Sequence, residues 1–200
     1  MKALKQPRFW LMIWGALGAA GLLYVIIGAS VTLDKDAPTA LGHARALLVG
    51  DMEKFQYAYI ARGAPQATFD HEGAAMSLAD FRGTAVLVNI WATTCAPCLK
   101  ELPSLDRLQE KLGDRDFEVV AVAADPRGAD AARAFLDRLE INNLKLYADP
   151  RLAFASAVGG VKFIPVSILY DAKGREVGRL VGEADWRSPE AVRLISSALP

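Results

Sequence analysis

Residues 84–98 (TAVLVNIWATTCAPC) constrain the fold of this chain more than any other stretch. Residues 84–91 are a short apolar, β-branched run of the kind that forms a strand buried on both faces. From Cys95 onward, Leu102, Leu105, Leu108 and Leu112 recur near helical spacing. A buried strand that turns directly into an amphipathic helix is the first half of a βαβ unit, and residues 117–123 (FEVVAVA) supply its second strand. Pro103 falls inside the helix, where it is expected to kink it or to mark its tightened first turns. A second helical stripe follows in Ala132, Phe135, Leu136 and Leu139, with Asp130 as its cap, and residues 144–147 read as a third short strand. The order then changes. Residues 166–170 and 176–181 flank Asp171-Ala172-Lys173-Gly174, whose Asp and Gly predict a hairpin turn, and a last helix starts near Ser188-Pro189-Glu190. Parallel pairing in the first half and a hairpin in the second predict an α/β domain: a central mixed sheet flanked by helices.

Cys95 and Cys98 are the only cysteines, and they sit where the strand ends and the helix begins. A thiolate at a helix N-terminus faces free N–H donors and the positive end of the helix dipole, both of which lower its pKa. Cys95 is therefore expected to attack. Cys98, one helical turn further on the same face, is placed to resolve a mixed disulfide and to be shielded from outside partners. Other uses of the pair fit less well. Zinc would need two more ligands, and the only histidines, His43 and His71, are at no zinc spacing. Leu99 stands where attachment of c-type haem requires a histidine directly after the second cysteine. A static disulfide closing so small a loop would remove little unfolded-state entropy. No metal and no cofactor is called for.

Residues 9–33 contain no charge, and as a helix these 25 positions would extend about 37 Å, enough to cross a hydrocarbon core of about 30 Å with some tilt. Lys2, Lys5 and Arg8 precede the run and no acid occurs before Asp34, so the positive-inside rule leaves residues 1–8 in the cytoplasm and sends the rest across. Trp10 and Trp14 suit the near interface. A cleaved signal peptide is the competing reading: its apolar region usually runs only about 7–15 residues, and Gly28-Ala29-Ser30 is an imperfect cleavage site. All 23 acidic residues and 20 of the 23 basic ones lie beyond the run, so the exported part is mildly acidic, which gives no footing for nucleic acid. Residues 34–63 read as a spacer with one short amphipathic helix carrying Ala44, Leu47, Leu48 and Phe55. Gly63-Ala64-Pro65 marks the expected boundary, leaving 64–200 as the domain.

With SLADFRG, VLVNIWATTCAPC, LKELP, FEVVAVAAD and IPVSILYDAKG in this order, the chain resembles the TlpA-like and ResA-like branch of the thioredoxin superfamily from about Ala64 to Leu199. The resemblance implies a thioredoxin-like fold on a single-pass anchor in the bacterial inner membrane, with the C-terminal domain facing the periplasm. It implies a thiol:disulfide oxidoreductase whose Cys95–Cys98 pair forms the redox-active disulfide and reduces exported proteins. Expected substrates are apocytochrome c or proteins of copper-site assembly, with electrons drawn from a membrane thiol-transferring donor. It also implies a cis-proline at Pro165 that presents backbone to the partner, and an assisting carboxylate at Glu101. Four positions depart from related patterns. Thr94 stands where the family usually has tryptophan, Phe163 where glycine is common, Val166 where threonine is common, and Asn89 takes the place of the buried aspartate of thioredoxin itself. A copper-binding assembly factor of the same fold is the alternative, since soft thiolates suit Cu(I). Its cysteines are usually spaced one residue further apart, and neither histidine lies where its distal ligand is expected. A peroxiredoxin-type peroxidase fits less still, its threonine falling on Ala92. Trp91 and Trp186 are expected in the core.

Overall fold

The computed structural model describes residues 46–159 and 162–199. The expected membrane span at residues 9–33 lies outside these, and among the described residues no helix is long and apolar enough to cross a membrane. The elements run in order as a 3-10 turn (Gly50–Lys54), β1 (Gln56–Tyr57), β2 (Thr68–His71), β3 (Ala74–Ser77), a second 3-10 turn (Leu78–Phe81), β4 (Ala85–Trp91), α1 (Ala96–Leu112), β5 (Phe117–Ala123), α2 (Ala129–Arg138), β6 (Tyr147–Ala148), α3 (Ala153–Ala157), β7 (Val166–Tyr170), β8 (Glu176–Val181) and α4 (Pro189–Ser196). They form one mixed sheet in the order β1-β8-β7-β4-β5-β6-β2-β3.

β4 is the pivot. It pairs parallel with β5 on one side and antiparallel with β7 on the other, and all seven of its residues are buried. Its apolar continuity follows from having core on both faces. Ala85, Leu87 and Trp91 meet Leu102, Leu105 and Leu108 of α1 and Leu194 and Ile195 of α4 in one cluster. Val86, Val88 and Ile90 meet Phe69, Phe81, Tyr147 and Phe154 in the other. Trp91 and Trp186 are both fully buried, as expected. Helix α1 continues through Pro103, whose exposed ring sits on the solvent side.

Three expectations are corrected. The N-cap of α2 is Gly128, at φ 87°, and Asp130 lies in the first turn, where its charge still favours the helix dipole. The third strand is only Tyr147–Ala148, because residues 142–144 give their N–H groups to Asp106 of α1 and not to a ladder. The domain also begins well before residue 64, since the compact unit starts at Ala46. Met52 and Phe55 are core residues, β1 pairs with β8, and Gly63 bridges Arg175. Gly178 of β8 permits this docking: a Cβ there would sit 2.5 Å from the Gln56 carbonyl oxygen and 2.6 Å from the Phe55 ring. Of the residues expected on a spacer helix, Ala44 lies outside the described residues, Leu47 and Leu48 pack against the core, and Phe55 follows the 3-10 turn Gly50–Lys54.

Candidate active site

The loop leaving β4 is fixed before it reaches the first cysteine. The Thr93 N–H donates to the Asp125 carboxylate at 3.2 Å and the Thr93 hydroxyl donates to the same oxygen, while Arg127 donates to both carboxylate oxygens at 3.1 and 2.9 Å. Burial alone would raise the Asp125 pKa, but these donors outweigh it and hold the pKa below the usual value, so the clamp stays ionised. The Cys95 N–H then closes a turn onto the Ala92 carbonyl at 3.0 Å.

Cys95 is the N-cap of α1, and its sulfur accepts from the Cys98 N–H at 3.3 Å. That donor, with the dipole behind it, would stabilise a thiolate on Cys95 once the pair is reduced. The two cysteines are joined in a disulfide with 5.3 Å between their Cα atoms. Cys95 is half-buried and Cys98 has no exposure at all, the asymmetry expected of an attacking and a resolving sulfur.

One turn beyond Cys98, Glu101 is 2% exposed. Its carboxylate accepts from Asn89 Nδ2 at 2.7 Å and from the Ala184 N–H at 3.2 Å. Asn89 Nδ2 donates also to Ser167 Oγ at 2.9 Å, while Asn89 Oδ1 is buried without a partner. Burial pushes the Glu101 pKa up to about 7, against the acidifying hydrogen bonds from Asn89 and Ala184 and with some help from the Glu183 charge. A folded-state value above the ordinary 4.5 means that the folded protein keeps a proton which the unfolded chain has lost. The contribution of this carboxyl is therefore full below about pH 4.5 and is lost as pH rises through 7, about 3 kcal/mol in all. Denaturant unfolding of a Glu101→Gln variant at pH 5 and pH 8 is expected to show most of that difference gone; an undiminished difference would place its source elsewhere.

Pro165 is buried, and the Ile164–Pro165 bond is cis, as the resemblance implies. Val166, the residue after it, stands opposite Ile90, so Pro165 lies beside the end of β4 from which the cysteine loop springs. Its carbonyl accepts from the Gly182 N–H at 2.8 Å. Of the departures noted in the sequence, Thr94 and Phe163 are exposed, Val166 is buried, and Asn89 joins Glu101. His43 lies outside the described residues. His71 is held on β2, where its Nδ1 donates to the Leu146 carbonyl at 3.0 Å and its ring packs on Tyr147. Two parts of the site were not foreseen: the Asn89–Ser167 link beneath Glu101 and the Asp125 clamp. The first left a trace, since Asn89 and Ser167 each interrupt an otherwise apolar or aromatic buried strand.

A redoxin family model matches residues 61–195. The thiol-disulfide oxidoreductase ResA of Bacillus cereus is 30% identical over 135 residues, covering 66% of this chain and 74% of that protein. The chain belongs to the ResA-like branch of the redoxin family. A ResA-like identity makes it a thiol-disulfide oxidoreductase with Cys95 and Cys98 as its cysteine pair. Among solved structures, a thiol:disulfide interchange protein of the thioredoxin family from Chlorobium tepidum is 28% identical with a TM-score of 0.53, covering 70% of this chain and 98% of that one. A DsbF homologue from Corynebacterium diphtheriae, at 23% identity and a TM-score of 0.61 over 72% of this chain and 92% of that one, shares the thioredoxin-like fold. The ResA-like assignment covers the domain that carries the cysteines, and the N-terminal 60 residues lie outside the family match.

Proposed function

We propose that this ResA-like enzyme is anchored in a bacterial inner membrane by residues 9–33 and reduces disulfides of exported proteins on the periplasmic side, in cytochrome c maturation or in assembly of respiratory copper centres. The observation that carries the exchange chemistry is the half-buried sulfur at the helix cap above a fully buried resolving sulfur, and the reductive direction rests on the ResA-like resemblance. In the reduced enzyme the Cys95 thiolate attacks one sulfur of a substrate disulfide. A Cys95–substrate bond forms and the other substrate sulfur leaves as thiolate. Cys98, deprotonated, then attacks Cys95 Sγ, the Cys95–Cys98 disulfide closes and the second substrate thiolate is released. Two electrons pass to the substrate, whose thiolates take up protons. A membrane dithiol donor returns the enzyme to its reduced state by the same exchange. In this reading Glu101, one turn from Cys98 with its pKa raised to about 7, holds or yields a proton, and Pro165 borders the partner's path to Cys95, supported by its place beside the end of β4.

The length and flanking charge of residues 9–33 support the anchor and its orientation. Cells carrying Cys95→Ser in this chain are expected to lose covalently attached c-type haem or copper-oxidase activity, and an added small dithiol is expected to restore it. A reporter fused after Pro200 should be active outside the cytoplasm. Unchanged haem and oxidase would overturn the assignment, and a reporter active only inside would overturn the topology.

A further inference from the structure

We propose that Phe163 selects the substrates of this enzyme by receiving an apolar side chain next to the reactive cysteine of the target polypeptide. This deepens the reductase reading and rests on it. Large apolar side chains open to water are few among the described residues, and Phe163, 67% exposed, is one of them. It sits two residues ahead of Pro165, within about 7 Å along the chain, in the segment that enters β7 beside the end of β4. Its neighbour Ile164 is packed against both core clusters, so the segment that carries the exposed ring is seated on the core.

The surroundings of the attacking sulfur leave this role to Phe163. Next to Cys95 in the chain, Thr94, Ala96 and Pro97 are exposed, and the only ring among them, that of Pro97, is smaller than a phenyl ring. Pro165 has no N–H, and its carbonyl already accepts from Gly182, so that residue's backbone has little left for a partner. The register that sets Val166 opposite Ile90 brings this segment to the end of β4 from which the Cys95 loop leaves, and in this proposal the ring is the apolar surface a polypeptide meets on its way to Cys95. Covering such a ring favours a leucine-like or aromatic neighbour over a serine by about tenfold.

The test compares kcat/KM of the full chain on three disulfides: a peptide with leucine beside its cysteine, the same peptide with serine there, and hydroxyethyl disulfide. The parent is expected to prefer the leucine peptide about tenfold. Phe163→Ala should remove that preference while leaving the serine peptide and hydroxyethyl disulfide within twofold, and Phe163→Leu should keep most of it. Val181→Ser is the control. Val181 is 50% exposed but pairs with Val166, whose side chain packs in the cluster away from α1, so its loss should change none of the three rates. A parent without the preference, or a Phe163→Ala loss equal on all three substrates, would overturn the proposal. A parent inactive even on hydroxyethyl disulfide would overturn the reductase reading itself.

Discussion

Serine in place of Cys98 is expected to leave an enzyme that attacks a disulfide and cannot release it. Turnover should fall to the uncatalysed background, and mass spectrometry should find the substrate bound to Cys95. Serine in place of Cys95 should reduce turnover as far but trap nothing. The reason is the asymmetry of the pair: Cys95 caps the helix, takes an N–H from Cys98 and reaches solvent, whereas Cys98 is sealed in the cluster with Trp91 and Leu102. With the resolving sulfur gone, nothing inside the protein can displace the substrate from Cys95. Alkylation of the reduced enzyme at neutral pH should accordingly mark Cys95 first. A faster reaction at Cys98 would reverse the two roles.

A loss of comparable severity, in stability and not in chemistry, is expected from Asp106→Ala. The Asp106 carboxylate lies buried on α1 and accepts from the N–H groups of Asn142, Asn143 and Leu144 at 3.2, 2.7 and 3.0 Å, and from Asn143 Nδ2 at 2.9 Å. Removing it strands four donors at once. Water reaches some of them, because Asn142 and Asn143 are exposed, so the cost is expected at about 3 kcal/mol and not at the sum of four unsatisfied groups. For a domain of this size that is a fall in Tm of about 6–12 °C by calorimetry. Asp106→Asn, which keeps one acceptor oxygen, should lose less. A fall under 2 °C for the alanine variant would show that the loop is held by its buried leucines alone.

The elements that position the cysteines were legible because their burial is written in local pattern. The strand of residues 84–91 has core on both faces and therefore no polar alternation, α1 carries its leucines on one stripe, and Ser188-Pro189 opens α4 with a cap and a proline in the first turn. What escaped depends on partners distant in the chain. Met52 and Phe55 are core residues only because β8 and α4 lie beneath them, and nothing in their own neighbourhood distinguishes that stretch from a spacer. The hairpin of β2 and β3 is built from Thr68–His71 and Ala74–Ser77, stretches with little β-branched content, and only Phe69 on it is buried. In the site, Cys95, Cys98 and the cis bond before Pro165 follow from the family pattern. The Asp125 clamp on Thr93 spans 32 residues of sequence and has no local sign.

Asn89 has a further chemical meaning. A carboxamide is a two-ended group, and here its amino end gives hydrogens to Glu101 and Ser167 while its carbonyl end meets no donor. That orientation matches an ionised Glu101, which can only accept. Once Glu101 takes up a proton it becomes a donor, and the same amide turned end for end would receive it, with the Ser167 hydroxyl reversing from acceptor to donor alongside. In the first polarity the carbonyl oxygen is left idle, and in the second the two N–H hydrogens would be. Rotation of this one side chain would thus reverse the hydrogen bonds that tie β4 to α1 and to β7.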